Sequence, residues 1–344
     1  MRAFRFGLLV AALMLPSSPH AQPAPQPQGS VPEGLAPERL AFVLNSAAAS
    51  ISEIDIDTHR EVRRLDVFRE PHHMALTPDG RSLVVGDTSG NALFFLDPVT
   101  GAMQRHIALS DPYQLSYSPD GKWLTVAGLK RNQIDIYDAA TMRLAHRVPA
   151  RRMPSHINYA PDSETVYVSL QGSGRLIAID TASGRVRWDS AVGNTPAGVL
   201  WHMGRILVGV MGTDYVAVVD PRDGRVERRV HMAPGPHNLF VGPAGHRLFV
   251  TCRVSGFIEQ LDWNTLAIVH TWRLPGGPDD IVFGPDGALW ATLRWRQHVA
   301  VLDLATGTTS LIATGRSPHG IWLNTALPAR KLSLAHPVVG RQRG

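Results

Sequence analysis

The sequence of 344 residues contains a single cysteine, Cys252. One thiol per chain excludes an internal disulfide framework, a zinc knuckle and a C-x-x-C-H haem attachment. The thiol lies in the apolar, strand-like segment LFVTCRV, so we expect it to be buried and inert. The sequence also lacks G-x-S-x-G, H-E-x-x-H, G-x-G-x-x-G and phosphate-loop motifs, so no motif of this kind assigns an enzyme class.

Long hydrophobic runs are also missing. No apolar run beyond the N-terminus approaches the ~18 residues of a membrane-spanning helix, and we expect no membrane span in the mature protein. Residues 1–21 combine two arginines, the apolar segment GLLVAALMLP and a final small residue, which is typical of a Sec-type signal peptide. We therefore expect cleavage near Ala21 and a periplasmic or secreted protein; a retained N-terminal anchor is the alternative.

A strong charge of one sign is absent from the body of the chain. The formal net charge is +5, but residues 1–21 hold two of the 34 basic residues and residues 325–344 hold four. Residues 22–324 therefore carry 28 basic against 29 acidic residues. This balance argues against duplex nucleic acid as the main partner. Residues 22–37 are a Pro- and Gln-rich linker, and residues 325–344 are predicted to be a basic, flexible tail.

What the sequence does have is a repeat. Prolines recur at intervals of 40–42 residues, at Pro71, Pro112, Pro154, Pro196, Pro236, Pro278 and Pro318. Aspartates form a second column at the same period, at Asp57, Asp97, Asp138, Asp180, Asp220, Asp262 and Asp303. Two independent columns with one period indicate a repeat architecture.

Each period contains four short β-like runs. The first follows the proline, a PDG-type turn leads to the second, the third ends at the column aspartate, and the fourth is more polar. This order predicts an all-β fold: one seven-bladed β-propeller over residues 38–324, with four antiparallel strands per blade. The first period lacks its leading strand and the last ends with an extra one, HGIWLN, so pairing the two would close the ring. A solenoid, the other architecture considered, would leave this mismatch unexplained. We expect a monomer.

The segments FVLN, YVSL and FVTC, the turn IDTASGRV and the links TGRSPHG and APGPHN resemble the YVTN-type repeat of secreted and periplasmic seven-bladed propellers. The resemblance covers nearly all of the mature chain and implies the fold and an extracytoplasmic location. It implies no activity, because propellers include enzymes, binding proteins and scaffolds. The fourth period departs from the pattern, with LWHMGRI in place of the usual turn.

Strand order places the PDG-type and aspartate turns on one face of the ring, where we expect structural roles. The opposite face carries the loops between second and third strands and the links between blades, and we name it the mouth face. Six residues are candidate ligand-binding groups there: Tyr113, His156, Arg253, Arg294, Trp295 and Arg296. They suit a small anionic ligand, a protein partner or a single nucleic-acid strand. Charged loops that are merely solvated are the alternative.

The residue after each column proline should lie at the opening of the central channel. In four neighbouring blades this position holds His237, Asp279, His319 and His72. Imidazole and carboxylate ligands in one arc suit a divalent transition metal such as Zn²⁺, Cu²⁺ or Fe²⁺. A metal-free acid–base site and a purely structural polar lining remain open. Strand alternation further predicts that His72 faces the channel while His73 points into the packing between blades.

These observations favour an exported module that binds a ligand or partner at the opening of its channel. An enzyme is the alternative, because the lactonase and virginiamycin-type lyase propellers, which are similar folds, place catalytic or metal-binding residues at a central opening. A third hypothesis is a single-strand nucleic-acid binder, which needs stacking aromatic side chains; Tyr113 and Trp295 are the candidates.

Overall fold

A computed structural model describes residues 39–243 and 245–326 of the chain. The predicted signal peptide and linker, and residues 327–344 of the predicted tail, lie outside the described residues. Within these ranges, no helix is long and apolar enough to cross a membrane. The helical segments described are three short 3₁₀ turns: Ser46–Ala48, Gln171–Ser173 and Asn324–Ala326.

The rest of the described chain forms strands joined by turns. In chain order the strands are β1 (Leu40–Asn45), β2 (Ser50–Asp55), β3 (Arg60–Leu65), β4 (Pro71–Leu76), β5 (Leu83–Asp87), β6 (Ala92–Leu96), β7 (Met103–Ala108), β8 (Gln114–Tyr117), β9 (Trp123–Gly128), β10 (Gln133–Asp138), β11 (Leu144–Pro149), β12 (Pro154–Tyr159), β13 (Thr165–Leu170), β14 (Arg175–Asp180), β15 (Val186–Ala191), β16 (Pro196–His202), β17 (Arg205–Val210), β18 (Tyr215–Val219), β19 (Val226–His231), β20 (Pro236–Val241), β21 (Arg247–Cys252), β22 (Phe257–Asp262), β23 (Ile268–Arg273), β24 (Pro278–Phe283), β25 (Leu289–Leu293), β26 (His298–Leu302), β27 (Thr309–Ala313) and β28 (Pro318–Leu323).

The strands form seven antiparallel sheets of four strands each, so the predicted seven-bladed propeller is confirmed. Blades 1 to 6 are the consecutive groups β4–β7, β8–β11, β12–β15, β16–β19, β20–β23 and β24–β27, and blade 7 is β28 with β1–β3. The strands that follow the column prolines pack against one another around the ring. They are the inner strands and line the central channel.

Blade 7 closes the ring as the sequence predicts. β28 pairs antiparallel with β1, with Ala41 opposite Leu323 and Val43 opposite Ile321. The Leu40 amide donates a hydrogen bond of 2.8 Å to Asn324 Oδ1, which extends the pairing beyond the last strand residue. Closure removes the exposed sheet edges that an open array would leave at its two ends.

The aspartate turns are structural, with one change of register. In blade 1, Asp97 Oδ1 accepts hydrogen bonds from the amides of Val99 and Thr100 at 2.9 and 2.8 Å. The predicted column placed Asp57 at the equivalent position of blade 7, which is wrong. Asp55 ends β2 there and accepts the amides of Asp57 and Thr58, both at 2.8 Å. The column therefore begins two residues earlier than predicted.

The fourth period differs because its first hairpin is tighter. His202 pairs with Arg205 across a two-residue turn. Met203 and Gly204 have φ values of 46° and 75°, as a type I′ hairpin requires at both central positions. LWHMGRI thus replaces a longer PDG-type turn with a short hairpin that keeps the blade intact.

The hydrophobic core lies between the blades and not in the channel. Between blades 6 and 7, for example, Val43, Ile54, Trp290, Val301 and Ile321 form one buried cluster. Burial of each such side chain contributes about 1.5–3 kcal/mol. Cys252 is buried in the equivalent layer between blades 4 and 5, as predicted, and burial raises the pKa of its thiol. The channel is therefore left to polar residues.

Candidate metal centre in the central channel

Three histidines meet at the start of the inner strands of blades 1 and 7. The ring centroids of His72 and His319 are 3.8 Å apart, and those of His73 and His319 are 4.4 Å apart. One nitrogen of each ring lies within 4.8 Å of one nitrogen of both others. All three side chains are buried, with at most 5% of each residue exposed. We name this group the histidine triad.

A β-bulge brings both adjacent histidines into the triad. Pro71 pairs with Asp87 and His73 with Gly86, so His72 is an extra residue without a partner on β5. An extra residue interrupts the alternation of side chains along a strand. The prediction that His73 points away from the channel, between the blades, is therefore wrong.

The same bulge follows the column proline in the inner strands of blades 3 to 7 as well. In blades 3 to 6 the pairing of the inner strand with the second strand skips one residue of the inner strand at this point. In blade 7 the pairing of β28 with β1 does the same. Residues one and two positions after the proline can thus both approach the channel. Consecutive residues such as Ser155–His156 and Asp279–Asp280 therefore both place polar atoms at the channel. Regular strand alternation would have predicted only one residue of each pair there.

The inner strands are held against the neighbouring blades by a column of small or hydroxyl residues on the second strands. Thr251 Oγ1 donates to the Asp279 carbonyl at 3.0 Å, and Thr292 Oγ1 donates to the His319 carbonyl at 2.7 Å. At the equivalent position of blade 1, a Cβ on Gly86 would lie 2.4 Å from the Pro112 carbonyl oxygen. This close packing fixes where the channel side chains begin.

Two more histidines extend the cluster across the channel. His156 lies between His73 and His237, with ring centroids 5.6 and 5.1 Å away, edge to face in both cases. His156 Nδ1 shares a 2.7 Å hydrogen bond with Ser155 Oγ. His237, predicted as a metal ligand, lies outside the triad and pairs instead with Asp279, at 3.0 Å between Nδ1 and Oδ1. The four residues that the sequence analysis placed in one arc thus belong to two neighbouring groups: His72 and His319 to the triad, and His237 and Asp279 to an ion pair.

Asp279 is the main anionic centre of the channel. Besides His237, its carboxylate is hydrogen-bonded by Arg253 and by Arg294, the latter at 3.3 Å. His319 Nε2 lies 3.4 Å from Oδ2. Burial alone would raise the pKa of this carboxyl, but Arg253, His319 and His237 together hold it well below its usual range. Asp279 therefore stays ionised although no part of it is exposed.

Asp280 is a second carboxyl that the sequence analysis did not include in the site. Asn238 Nδ2 donates to it at 2.9 Å, and its Oδ2 lies 3.9 Å from Nδ1 of both His73 and His319. Burial and the charge of Asp279 raise the pKa of Asp280 to about 7. The doubled aspartate after a column proline marks this position in the sequence, but the bulge in β24 is what brings both carboxyls to the channel.

Burial favours the neutral form of the five imidazoles. Burial lowers the pKa of His73 to about 3 and that of His237 to about 4, and it holds the pKa of His72, His156 and His319 well below the ordinary value. Several ring nitrogens are buried and make no hydrogen bond among the described residues: His72 Nδ1, His73 Nε2, His156 Nε2 and both nitrogens of His319. Buried polar atoms without partners are uncommon and need an explanation.

The predicted ligand-binding residues fall into two sets. Tyr113 packs on His72, with ring centroids 4.1 Å apart, and burial raises its pKa to about 12. With His156, Arg253 and Arg294 it belongs to the channel cluster. Trp295 and Arg296 do not: both are exposed in the loop between β25 and β26, and 59% of Trp295 is accessible.

Acidic residues on the mouth face mainly hold loops in place. Asp87 accepts hydrogen bonds from the amides of Arg69 and Glu70 at 2.9 and 2.6 Å. Asp111 does the same for Lys130 and Arg131 at 2.6 and 2.8 Å. These two carboxylates therefore join a link to a neighbouring loop and serve structural roles on the mouth face.

The fold and this centre define a seven-bladed β-propeller with a channel lined by histidine, aspartate and arginine. Residues 6–329 match the YNCE-like beta-propeller family, and the chain belongs to that family.

Individual relatives are distant. Antigen Lp49 of Leptospira interrogans is 25% identical over 199 residues, which are 46% of this chain, and the chain spans 40% of the length of that relative. A functionally unknown protein from Desulfotomaculum acetoxidans superposes with a TM-score of 0.71 at 12% identity, over 83% of this chain and 98% of that one. Hydrazine synthase of Kuenenia stuttgartiensis superposes with a TM-score of 0.63 at 20% identity, over 79% and 92% of the two chains. At such identities the structures are similar in fold alone.

Proposed function

We propose that this propeller is a binding module that holds a divalent transition-metal ion in its channel through His72, His73 and His319. The observation that carries the proposal is the histidine triad: three neutral, buried imidazoles with unpartnered nitrogens and with ligand atoms within 4.8 Å of one another. Leaving such nitrogens unpaired in a buried site costs free energy that a metal–nitrogen bond would offset.

The dimensions suit a metal after a small adjustment. Two nitrogens bound to one ion at about 2.0–2.1 Å are at most about 4.2 Å apart. Any two nitrogens of the triad that lie near the 4.8 Å limit would therefore have to approach each other by a few tenths of an ångström. Asp280 lies 3.9 Å from Nδ1 of His73 and of His319, too far for a hydrogen bond to either ring. A shift of about 1 Å would let it orient one of them, as carboxylates do in many histidine metal sites.

The ligand types favour Cu²⁺ or Zn²⁺. Imidazole nitrogens suit both ions, and Cu²⁺ has the highest affinity among divalent ions of the first transition series. Cys252, the single thiol, is packed between blades 4 and 5 and not in the channel. A site of imidazoles and carboxylates without thiolate is less suited to Cu⁺.

The other functions considered have less support from the geometry. A lactonase- or lyase-like reaction needs an acid or base that substrate can reach, whereas Asp279 is fully buried and bound to Arg253 and His237. Stacking of a nucleic-acid strand needs exposed aromatic rings on one surface. Tyr113 packs against His72 inside the channel, which leaves Trp295 as the exposed candidate of the two.

Metal content of the purified protein tests the proposal. We expect about one equivalent of Cu²⁺ or Zn²⁺ per chain after loading and removal of excess metal, measured by plasma mass spectrometry. His73→Ala together with His319→Ala should abolish binding. His202→Ala is the matched control, since His202 is also buried and its Nδ1 is also unpartnered, but its Nε2 is 2.7 Å from the Trp263 carbonyl oxygen at a distant site. Absence of stoichiometric metal in the parent protein would refute the proposal.

A further inference from the structure

We infer that the metal ion is held together with a small oxyanion, which binds beside Arg253 and Arg294 at the mouth side of the channel. The inference rests on the proposed metal site and adds a second ligand, of the carboxylate or phosphate class, to it. It follows from the charge balance of the channel and from the unused hydrogen-bonding groups of the two arginines.

The charged side chains of the channel are two arginines and two aspartates in contact or close to one another. Two arginines face two aspartates there: Arg253 and Arg294 bind Asp279, and Asp280 adjoins it in sequence. The two carboxylates can at most cancel the charges of the two arginines, so these four side chains hold no net negative charge to spare. A further pair on the mouth face, Lys130 and Glu70, is also balanced, at 2.8 Å.

A divalent ion upsets this balance. Its binding to neutral imidazoles adds two positive charges to a site whose histidines and aspartates are buried. Uncompensated charge in such surroundings is costly, and an accompanying anion removes most of the cost. The anion has to lie where it can reach both the ion and solvent, which points to the mouth side.

The two arginines lie on that side and have donors to spare. Their side chains are 12% and 24% exposed, between the fully buried Asp279 and solvent. Arg253 Nε is buried and has no hydrogen-bond partner among the described residues. The hydrogen bond described for Arg294 uses only Nη1, at 3.3 Å from Asp279. Planar guanidinium groups with open N–H donors bind carboxylates and phosphates in two-point contacts.

The position of these arginines is specific to two blades. Arg253 and Arg294 each follow directly after the second strand, β21 and β25. The equivalent residues of blades 1 and 7, Thr88 and Ser46, instead bind backbone carbonyls of the links at 2.9 and 2.8 Å. Blades 5 and 6 therefore direct guanidinium groups towards Asp279, whereas blades 1 and 7 use this position for a hydrogen bond to the backbone.

Cobalt substitution tests the inference. The full protein is loaded with Co²⁺, and its visible d–d absorption is followed while formate or phosphate is added in separate titrations. We expect saturable spectral change with at least one of the two anions, and the anion that saturates identifies the class. Arg294→Ala should weaken that anion's affinity about 10- to 100-fold, the value of a charged hydrogen bond. Arg131→Ala, an exposed arginine in the equivalent loop of blade 2, should leave the affinity unchanged.

The outcomes separate the two proposals. If the parent protein binds no Co²⁺, Zn²⁺ or Cu²⁺, the metal site is refuted, and the anion with it. If metal binds at one equivalent but neither anion changes the cobalt spectrum, the metal site stands and the oxyanion is refuted. If Arg294→Ala and Arg131→Ala bind the anion equally well, the assignment to the arginine pair is wrong.

Discussion

Asp279 shows how one buried carboxylate organises the polar centre of this propeller. It accepts hydrogen bonds from Arg253 and Arg294 and lies 3.0 Å from His237 Nδ1. It therefore fixes two side chains from loops and one from an inner strand relative to the histidine triad. The Arg253 side chain is largely buried beside it, so the loss of the Asp279 charge would leave the charge of this arginine uncompensated.

Replacement of this aspartate should destabilise the fold. We expect Asp279→Asn to lower the free energy of unfolding by about 2–3 kcal/mol, because removing one member of a buried ion pair leaves the other unpaired. Urea denaturation followed by tryptophan fluorescence measures this. Asp189→Asn breaks the exposed 2.6 Å pair with Arg175 and should cost about 1 kcal/mol or less. Equal effects of the two substitutions would contradict the role given to Asp279.

The inner strand and its bulge are the elements that create the site. A regular strand would direct alternate side chains to the channel, and one extra residue after the proline allows two consecutive residues to reach it. This arrangement depends on close contact with the neighbouring blade, where small residues on the second strands face the inner-strand backbone.

Gly86 tests the importance of that contact. A methyl group on Gly86 would lie 2.4 Å from the Pro112 carbonyl oxygen, so one of the two blades has to move. We expect Gly86→Ala to lower the free energy of unfolding by about 1–3 kcal/mol, the usual cost of overpacking. Gly128→Ala at the end of β9 is the control, because the nearest atom to its added methyl is 3.3 Å away on the Gln133 side chain. Urea midpoints compare the two, and a larger loss for Gly128→Ala would contradict the packing argument.

The closed ring depends on the pairing of β28 with β1. Ile321 and Leu323 bury their side chains in the layer between blades 6 and 7, and β28 also supplies His319 to the triad. The proposed metal site and ring closure therefore depend on the same strand.

Removal of that strand should affect stability and metal binding together. A chain that ends at Ser317 loses β28, exposes the edge of β1 and opens the channel, so we expect aggregation or unfolding and no metal binding. Asn324→Ala removes the side-chain hydrogen bonds to the Leu40 amide and to the Val99 carbonyl oxygen; it should cost about 1–3 kcal/mol but leave the ring closed. Thermal unfolding and size-exclusion chromatography distinguish the two. A folded monomer without β28 that still binds metal would refute this account of closure.

The residues of the repeat are enough to predict seven blades, four strands per blade and the closing pair, because turn chemistry and strand polarity are local properties. Proximity of His72 and His319 was also predictable, since ring closure follows from the strand count. The sequence did not predict that His73 and Asp280 also lie in the channel. Their positions depend on a bulge in each inner strand, and the alternation of residues along the sequence does not reveal such a bulge. The separation of Arg253 and Arg294 from Trp295 and Arg296 depends on how loops turn after β21 and β25, and the tertiary packing of neighbouring blades sets those directions.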